Sequence, residues 1–212
     1  MPDLIDFDKH GLSHLRGRQP HQWTPAEMDS FLAACATEEM SLQINLPFSF
    51  ANIQKLLSLS KCRRCGKCCM PNPNHKEWPG VGLFEDELKE IARGALQPLN
   101  KLKRDCITRD SGAGRKSYWL RFPCPFQSPK GCKVYQVRPM ACRTYPFVSG
   151  DNDPAHLTLK VSCEYGKDIY RAITRNINKA MIDPRHLAST CKKSDPPDSD
   201  WNYLLANLPK RD

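Results

Sequence analysis

Cys62-Arg63-Arg64-Cys65-Gly66-Lys67-Cys68-Cys69 is the stretch that most constrains the structure of this chain. Within it, Cys62, Cys65 and Cys68 follow one another at three-residue steps. A two-residue spacer lets the backbone turn sharply enough to aim both sulfurs at one metal ion, and Gly66 relieves crowding inside that turn. We therefore predict that these three cysteines share one metal centre.

Four more cysteines lie in short segments that adjoin a turn signal or a helix start: Cys124, Cys132, Cys142 and Cys163. Such positions can present a sulfur to a metal. We predict that these four fold back on the first centre or form a second site beside it. The predicted metal ligands are therefore Cys62, Cys65, Cys68, Cys69, Cys124, Cys132, Cys142 and Cys163. These sulfurs are enough for two four-sulfur sites, or for one cluster with spare thiols.

The length and composition of the chain limit the possible roles of these cysteines. The chain has 212 residues, which is room for one domain with or without arms, and an odd total of 11 cysteines, which leaves at least one outside any disulfide scheme. The first residues are acidic where a signal peptide would be basic, so we expect a cytoplasmic protein whose clustered cysteines bind metal. No run approaches the roughly 20 apolar residues of a membrane helix, so we expect no membrane partner.

Helical periodicity and one alternating segment predict an α+β fold. Thr24 and Glu27 have the spacing of a capping box, which would start a helix at Pro25. Residues 117–122 alternate as a strand does, and we predict that residues 133–135 pair with them as a hairpin. Further helices are predicted over residues 50–59, 83–94 and 165–181, with a short one within 198–208. The expected architecture is a small, irregular, metal-centred domain with several helices around a short β-hairpin.

Turn-rich stretches separate three predicted segments of the chain. Residues 1–60 would form an N-terminal arm and two helices that pack on the core. Residues 61–182 would form the cysteine-cluster metal-binding domain, and residues 183–212 a C-terminal tail with a short helix.

The order of the cysteine motifs resembles a known family. A CxxCxxCC segment at 62–69 is followed by Cys124-Pro125, by Gly131-Cys132, and by Arg-Pro-x-x-Cys-Arg-x-Tyr-Pro-Phe at 138–147. This order is similar to the YkgJ-type cysteine-cluster (CxxCxxCC) family, which is described as zinc- or iron-chelating. The resemblance covers about residues 62–163 and implies metal binding, but little about activity. Flagellin lysine methylases carry a similar cluster within a larger protein, yet this chain has no glycine-rich G-x-G-x-x-G loop.

The spacing favours an iron–sulfur cluster, most simply a 4Fe-4S cluster, with zinc as the alternative. Steps of three residues match the first three ligands of a bacterial ferredoxin run, whereas zinc knuckles supply two pairs from two separated turns. The fourth position departs from the ferredoxin pattern. Where that run ends in Cys-Pro, this chain has Asn72-Pro73, so a fourth ligand must come from Cys69 or from a distal cysteine.

Arg138, Arg143 and Tyr145 crowd next to Cys142 and are the candidate cofactor-binding residues. We interpret them as supporting residues, because cationic donors to sulfur or to backbone carbonyls offset the charge of a thiolate-rich centre. If the segment is extended, Arg143 and Tyr145 share one face while Cys142 turns toward the metal. Arg143 would then anchor the loop by donating to a buried carbonyl or carboxylate.

The remaining cysteines and the histidines carry weaker signals. Cys35 lies on the apolar face of a capped helix and is expected in the core, while Cys106 and Cys191 have no partner at ligand spacing. The histidines show no paired ligand spacing beyond His10 and His14, where Gly11 argues against a helix. His75, six residues after Cys69, is the histidine nearest the cluster in sequence.

Three classes of function remain open. The first is a metal-binding protein with a redox, metal-handling or accessory role, acting on a protein partner or protein substrate. The second is an enzyme acting at the metal centre, for example one that modifies proteins as the lysine methylases do. The third is a structural zinc module for protein or nucleic-acid interaction. No catalytic residue can be assigned, and the basic residues form no recognition motif that would favour nucleic acid.

Overall fold

The computed structural model of the chain describes residues 5–44, 46–47, 49–70, 80–110, 116–149, 156–176 and 187–193. Helices and small antiparallel sheets occur together in these ranges, so the predicted α+β class is confirmed. None of the described helices is long and apolar enough to cross a bilayer. The chain divides into two compact units: the first unit comprises residues 1–63 and 146–212, and the second unit residues 64–145. The segment boundaries at 60 and 182 stay a prediction, because compactness alone does not define the extent of a metal-binding segment.

In the described part of the first unit, an antiparallel sheet packs with three α-helices. The strands are β1 (Met40–Ile44), β7 (Phe147–Ser149), β8 (Leu157–Lys160) and β9 (Leu187–Lys193), in the order β7-β8-β1-β9. The helices are α1 (Pro25–Thr37), α2 (Phe50–Leu57) and α6 (Glu164–Asn176). Their apolar faces enclose one core, in which Leu32, Leu42 and Ile169 are fully buried.

The start of α1 follows the sequence prediction. The Thr24 hydroxyl accepts from the backbone N–H of Glu27 at 3.3 Å, and the Glu27 carboxylate accepts from that of Thr24 at 2.6 Å. The predicted capping box is therefore confirmed. Helix α6 also confirms its prediction as far as Asn176; the rest of that pattern lies outside the described residues, as does the short helix predicted within 198–208.

The second unit, as far as the structure describes it, contains a three-stranded sheet and three α-helices. The strands β2 (Gly80–Leu83), β3 (Cys106–Asp110) and β4 (Lys116–Arg121) pair antiparallel in the order β2-β4-β3. A two-stranded ladder joins β5 (Gln127–Ser128) to β6 (Gly131–Cys132). The helices are α3 (Glu85–Gly94), α4 (Leu99–Asp105) and α5 (Met140–Thr144). The core of this unit buries Leu88, Leu102 and Leu120 completely or nearly so.

The predicted pairing of residues 117–122 with 133–135 is wrong. Strand β4 bonds to β2 on one side and to β3 on the other, so neither edge is left for residues 133–135. Strand β4 begins only six positions after β3 ends, and pairing segments that are close in sequence costs less closure entropy than the predicted pairing. Residues 135–137 form a 3-10 turn instead.

Candidate metal centre

The eight predicted ligands divide between the two units. Cys62 and Cys163 belong to the first unit, where both are half-buried and pack against its apolar core. The second unit holds the other six: Cys65, Cys68, Cys69, Cys124, Cys132 and Cys142. Among the described residues, none of the eight takes part in a disulfide bond. The prediction that Cys62, Cys65 and Cys68 share one centre is not tested by these positions.

The CxxCxxCC loop turns as its glycine predicts. Gly66 has φ +74°, in the left-handed region that residues with a Cβ rarely adopt, and the chain then enters a 3-10 turn over Lys67–Cys69. The N–H of Cys69 closes this turn by donating to the carbonyl of Gly66 at 2.9 Å. Cys65 and Cys68 are left exposed, whereas Cys69 is half-buried. The turn therefore directs Cys69 inward, and Cys65 and Cys68 outward.

Cys69 meets the first of the distal cysteines. The backbone N–H of Cys124 donates to the carbonyl of Cys69 at 2.8 Å, which ties two segments far apart in sequence. The Cys69 thiol interacts with the thiols of both Cys124 and Cys68. Cys69 therefore links the loop to the first distal cysteine.

Cys132 and Cys142 lie within electrostatic reach of Cys69 and Cys124. Cys132 ends the short ladder, opposite Gln127, and Cys142 is the third residue of α5. The charges of Cys124, Cys69 and Cys132 all act on the Cys142 thiol, and the charge of Cys132 also acts on Cys69. Four short segments of the second unit therefore contribute to what we call the thiol cluster: Cys69, Cys124, Cys132 and Cys142.

The pKa of every thiol in the cluster is raised. For Cys69, the hydrogen bond from Cys124 lowers the pKa, but the hydrogen bond to Cys68, burial and neighbouring thiolate charge outweigh it and raise the value to about 11. The hydrogen bond to Cys69 and burial raise the pKa of Cys124. Burial is the main cause for Cys132 and for Cys142, with the positive charge of Arg138 opposing it at both. Without metal, all four thiols therefore stay protonated at neutral pH.

The donor chemistry of the cluster fits zinc or an iron–sulfur cluster, since both take cysteine sulfurs as ligands. The four sulfurs come from a loop, a turn, a ladder and a helix of one unit. Among the residues that the structure describes, no three cysteine, histidine, aspartate or glutamate side chains converge at metal-binding distances.

Arg138 stands beside the thiol cluster and is held by Tyr135. Its guanidinium carbon lies 3.6 Å from the centre of the Tyr135 ring, and its Nε donates to the Tyr135 carbonyl at 3.0 Å. Arg64, inside the CxxC loop, stacks on the same ring at 4.1 Å. The contact between loop and ring had no signal in the sequence, because 71 positions of chain separate Arg64 from Tyr135.

Arg143 and Tyr145 do not lie on an extended segment, so that expectation is wrong. Residues 140–144 form α5, in which the N–H groups of Cys142 and Arg143 both donate to the carbonyl of Pro139. The residues after Pro139, Met-Ala-Cys-Arg, include good helix formers, a signal that could have predicted the turn. The Nε of Arg143 is buried without a hydrogen-bond partner among the described residues, so the anchoring bond expected of it is not formed there.

The other candidates lie away from cysteine chemistry or outside the described residues. Cys35 is fully buried in the first core, as expected, and Cys106 is buried in the second, where desolvation and the charge of Asp105 raise its pKa to about 11. His10 and His14 contact Glu38 and Glu27. Nothing can be said of His75 or of the side chain of Cys191, which are not among the described side chains.

Comparison with known proteins agrees with the donor chemistry. Residues 61–164 match the model of the CxxCxxCC family, whose description is "Putative zinc- or iron-chelating domain". A search of curated proteins and a search of solved structures found no match. The matched range includes all eight predicted ligands and the whole thiol cluster. Residues 61–164 therefore match the model of the CxxCxxCC family, which is the family that the cysteine motifs in the sequence predicted.

Proposed function

We propose that this chain holds one metal centre on the thiol cluster, and that the centre is a 4Fe-4S cluster, with zinc as the alternative. The observation that carries the proposal is the backbone hydrogen bond from Cys124 to Cys69 at 2.8 Å, which joins the CxxCxxCC loop to the distal cysteines of the same compact unit. The thiol cluster offers only sulfur ligands. This supports an iron–sulfur cluster, which is held by cysteine thiolates, over zinc, which also binds sets that mix cysteine with other residues. When bound, an iron–sulfur cluster would supply one-electron chemistry, and zinc a structural cross-link.

The arginines of the second unit suit the charge of such a centre. Four thiolates on a divalent ion carry a net charge of about −2, which is costly in a partly buried place unless cations lie nearby. Arg138 already acts electrostatically on Cys132 and Cys142. Arg143, next to Cys142, has no ion pair among the described residues and can contribute a second positive charge. Both residues therefore act as support and not as ligands, with Tyr145 next in the same segment.

Two exposed thiols beside the cluster favour a metal-handling or accessory role with a protein partner. Cys65 and Cys68 face solvent, and Cys68 is hydrogen-bonded to Cys69 of the cluster. An exposed thiol can receive a metal from a donor and pass it to more buried sulfurs. A chain lacking both thiols should then load metal more slowly but reach the same final content; a lower final content would show that the two cysteines are permanent ligands, as the loop spacing predicts.

Anaerobic purification followed by iron, sulfide and zinc analysis tests the proposal. Cys124→Ser should empty the centre, whereas Cys106→Ser, which changes a buried thiol of the same unit outside the cluster, should keep the wild-type content. Acid-labile sulfide in the wild type supports the iron–sulfur cluster, and zinc without sulfide supports the alternative. Unchanged metal content in Cys124→Ser would refute the thiol cluster as the site.

A further inference from the structure

Glu87 is a buried carboxylate that joins helix α3 to the helix carrying Cys142. The residue is 4% exposed, although glutamate is rarely buried without a specific partner. Its Oε1 accepts from the backbone N–H of Met140 at 2.5 Å, and its Oε2 accepts from that of Phe84 at 3.0 Å. One carboxylate thus bonds to the first residue of α5 and to the residue that precedes α3.

These two bonds satisfy both oxygens of the buried carboxyl group. Burying a polar group costs free energy unless hydrogen bonds replace its lost hydration. The N–H of Met140 opens α5 and has no acceptor within that helix, so it needs an acceptor from elsewhere. The separation of 53 residues shows that the contact serves tertiary structure and is not a local cap.

A second contact fixes the same segment at the other end of α3. A Cβ on Gly94 would lie 2.4 Å from Cγ2 of Val137, so only a glycine lets α3 approach the turn over residues 135–137 this closely. Val137 packs against the core of the second unit, and Val134 is buried in it. Helix α3 therefore holds the stretch between Cys132 and Cys142 at two points, two helical turns apart.

We propose that Glu87 is a positioning residue, which holds Cys142 in the thiol cluster by fixing the start of α5 on α3. The inference deepens the proposed function and rests on it for the role of Cys142 as a ligand. Cys142 lies two residues after Met140, so the bond between Glu87 and Met140 sets the place of α5. No side chain of α5 reaches α3 through an equivalent hydrogen bond among the described residues.

The test compares thiol reactivity in the metal-free, reduced protein. A short pulse of N-ethylmaleimide, followed by peptide mass spectrometry, gives the labelling rate of Cys142 relative to that of Cys106 in the same molecule. Global unfolding exposes both thiols equally, whereas detachment of α5 exposes Cys142 alone. In Glu87→Ala we expect the ratio to rise about tenfold. Loss of the hydrogen bond between Glu87 and Met140 lowers the free energy needed to detach α5 locally.

Asp86→Ala is the matched control. Asp86 is also an acid in the first turn of α3, but it is exposed and pairs with Lys89 of its own helix, so its loss should leave the ratio unchanged. An unchanged ratio in Glu87→Ala, or an equal rise in Asp86→Ala, would overturn the proposal. If Glu87→Ala does not fold, Glu87→Gln decides instead. Its single amide oxygen can accept from only one of the two N–H groups, so a smaller rise is expected and a wild-type ratio overturns the proposal.

Metal content measured on the same variants separates this inference from the proposed function. A raised ratio together with reduced metal content supports both. A raised ratio with full metal content keeps Glu87 as the residue that holds α5, but refutes the part of the proposal that makes Cys142 a ligand. A wild-type protein without metal refutes the proposed function, while the ratio still decides whether Glu87 holds α5.

Discussion

Single thiols of the second unit differ from free cysteine in their protonation. Each member of the thiol cluster has a raised pKa, which for Cys69 is about 11, because hydrogen bonding, burial and neighbouring sulfurs disfavour its thiolate. A metal ion reverses this preference, since it binds thiolates and not thiols. Metal binding must therefore remove a proton from each of these thiols.

We predict that metal binding releases about four protons per site near neutral pH, one from each cysteine of the thiol cluster. The folded pKa values lie above the ordinary range, so all four thiols still carry protons when metal arrives. Apparent affinity should consequently fall as pH is lowered and rise as pH approaches the raised pKa values. Calorimetric titration of zinc in buffers of different ionisation enthalpy measures the release. A release near zero would mean that the bound groups are not these thiols.

Gly66 permits a second prediction at this scale. Gly66→Ala should cost about 1 to 2 kcal/mol of stability, because alanine is strained at a φ of +74°. Its Cβ would also lie 2.7 Å from Nε2 of Gln127, so the loop must shift unless that side chain moves. Metal affinity, measured by competition with a chelator, should fall as well.

Gly17→Ala is the control for backbone strain alone. Gly17 has nearly the same φ, +75°, but open space around its Cβ position, and it lies in the first unit. It should lose similar stability and keep full metal affinity. Equal losses of affinity in both variants would show that general destabilisation, and not the shape of the cysteine loop, weakens binding.

Helices and strands differ in how far local sequence decides them. The start of α1 is encoded within four residues, because Thr24 and Glu27 satisfy each other's backbone N–H groups. Helix α5 follows from Pro139 and the residues after it. The partner of β4, by contrast, could not be predicted from alternation, since alternation shows which face is buried but not which strand lies beside it.

Thr24→Ala should destabilise the protein by about 1 kcal/mol, the usual cost of losing an N-cap oxygen. The loss follows because the N–H of Glu27 then has no acceptor from residue 24 at the start of the helix. Urea unfolding of the metal-loaded protein measures it. Ser30→Ala is the control, because its hydroxyl only bonds back to the carbonyl of Ala26 within the same helix. A loss as large in Ser30→Ala would contradict the capping explanation.

At the scale of the whole molecule, each compact unit has a core of its own. Among the described residues, the first core contains more than twice as many buried residues as the second. The second unit also contains the thiol cluster. Since stability grows with buried apolar surface, the second unit has more to gain from a metal that cross-links its segments.

Removal of metal should therefore loosen the second unit more than the first. In hydrogen exchange with and without a strong chelator, we expect faster exchange in peptides covering residues 116–145. Peptides covering α1 and β1 should change little, because the first core contains no member of the thiol cluster. Equal acceleration in both units would contradict this prediction.

The amino-acid sequence by itself determined the local chemistry of this protein. Cysteine spacing and neighbouring motifs predicted the family that matches residues 61–164, and the CxxC spacing with its glycine predicted a sharp turn. The cap of α1 and the helix α6 were also predicted. These features depend on residues within a few positions of one another, where backbone geometry and side-chain reach are enough to decide the outcome.

Only the tertiary structure decided which cysteines come together. The eight predicted ligands look like one set in the sequence. In the structure, Cys62 and Cys163 pack on the first core, while four thiols of the second unit form the thiol cluster. The bond between Glu87 and Met140 likewise joins residues 53 positions apart. Such contacts depend on how buried apolar faces pack and on which loops close with the smallest loss of entropy. Neither can be predicted from the spacing of a motif.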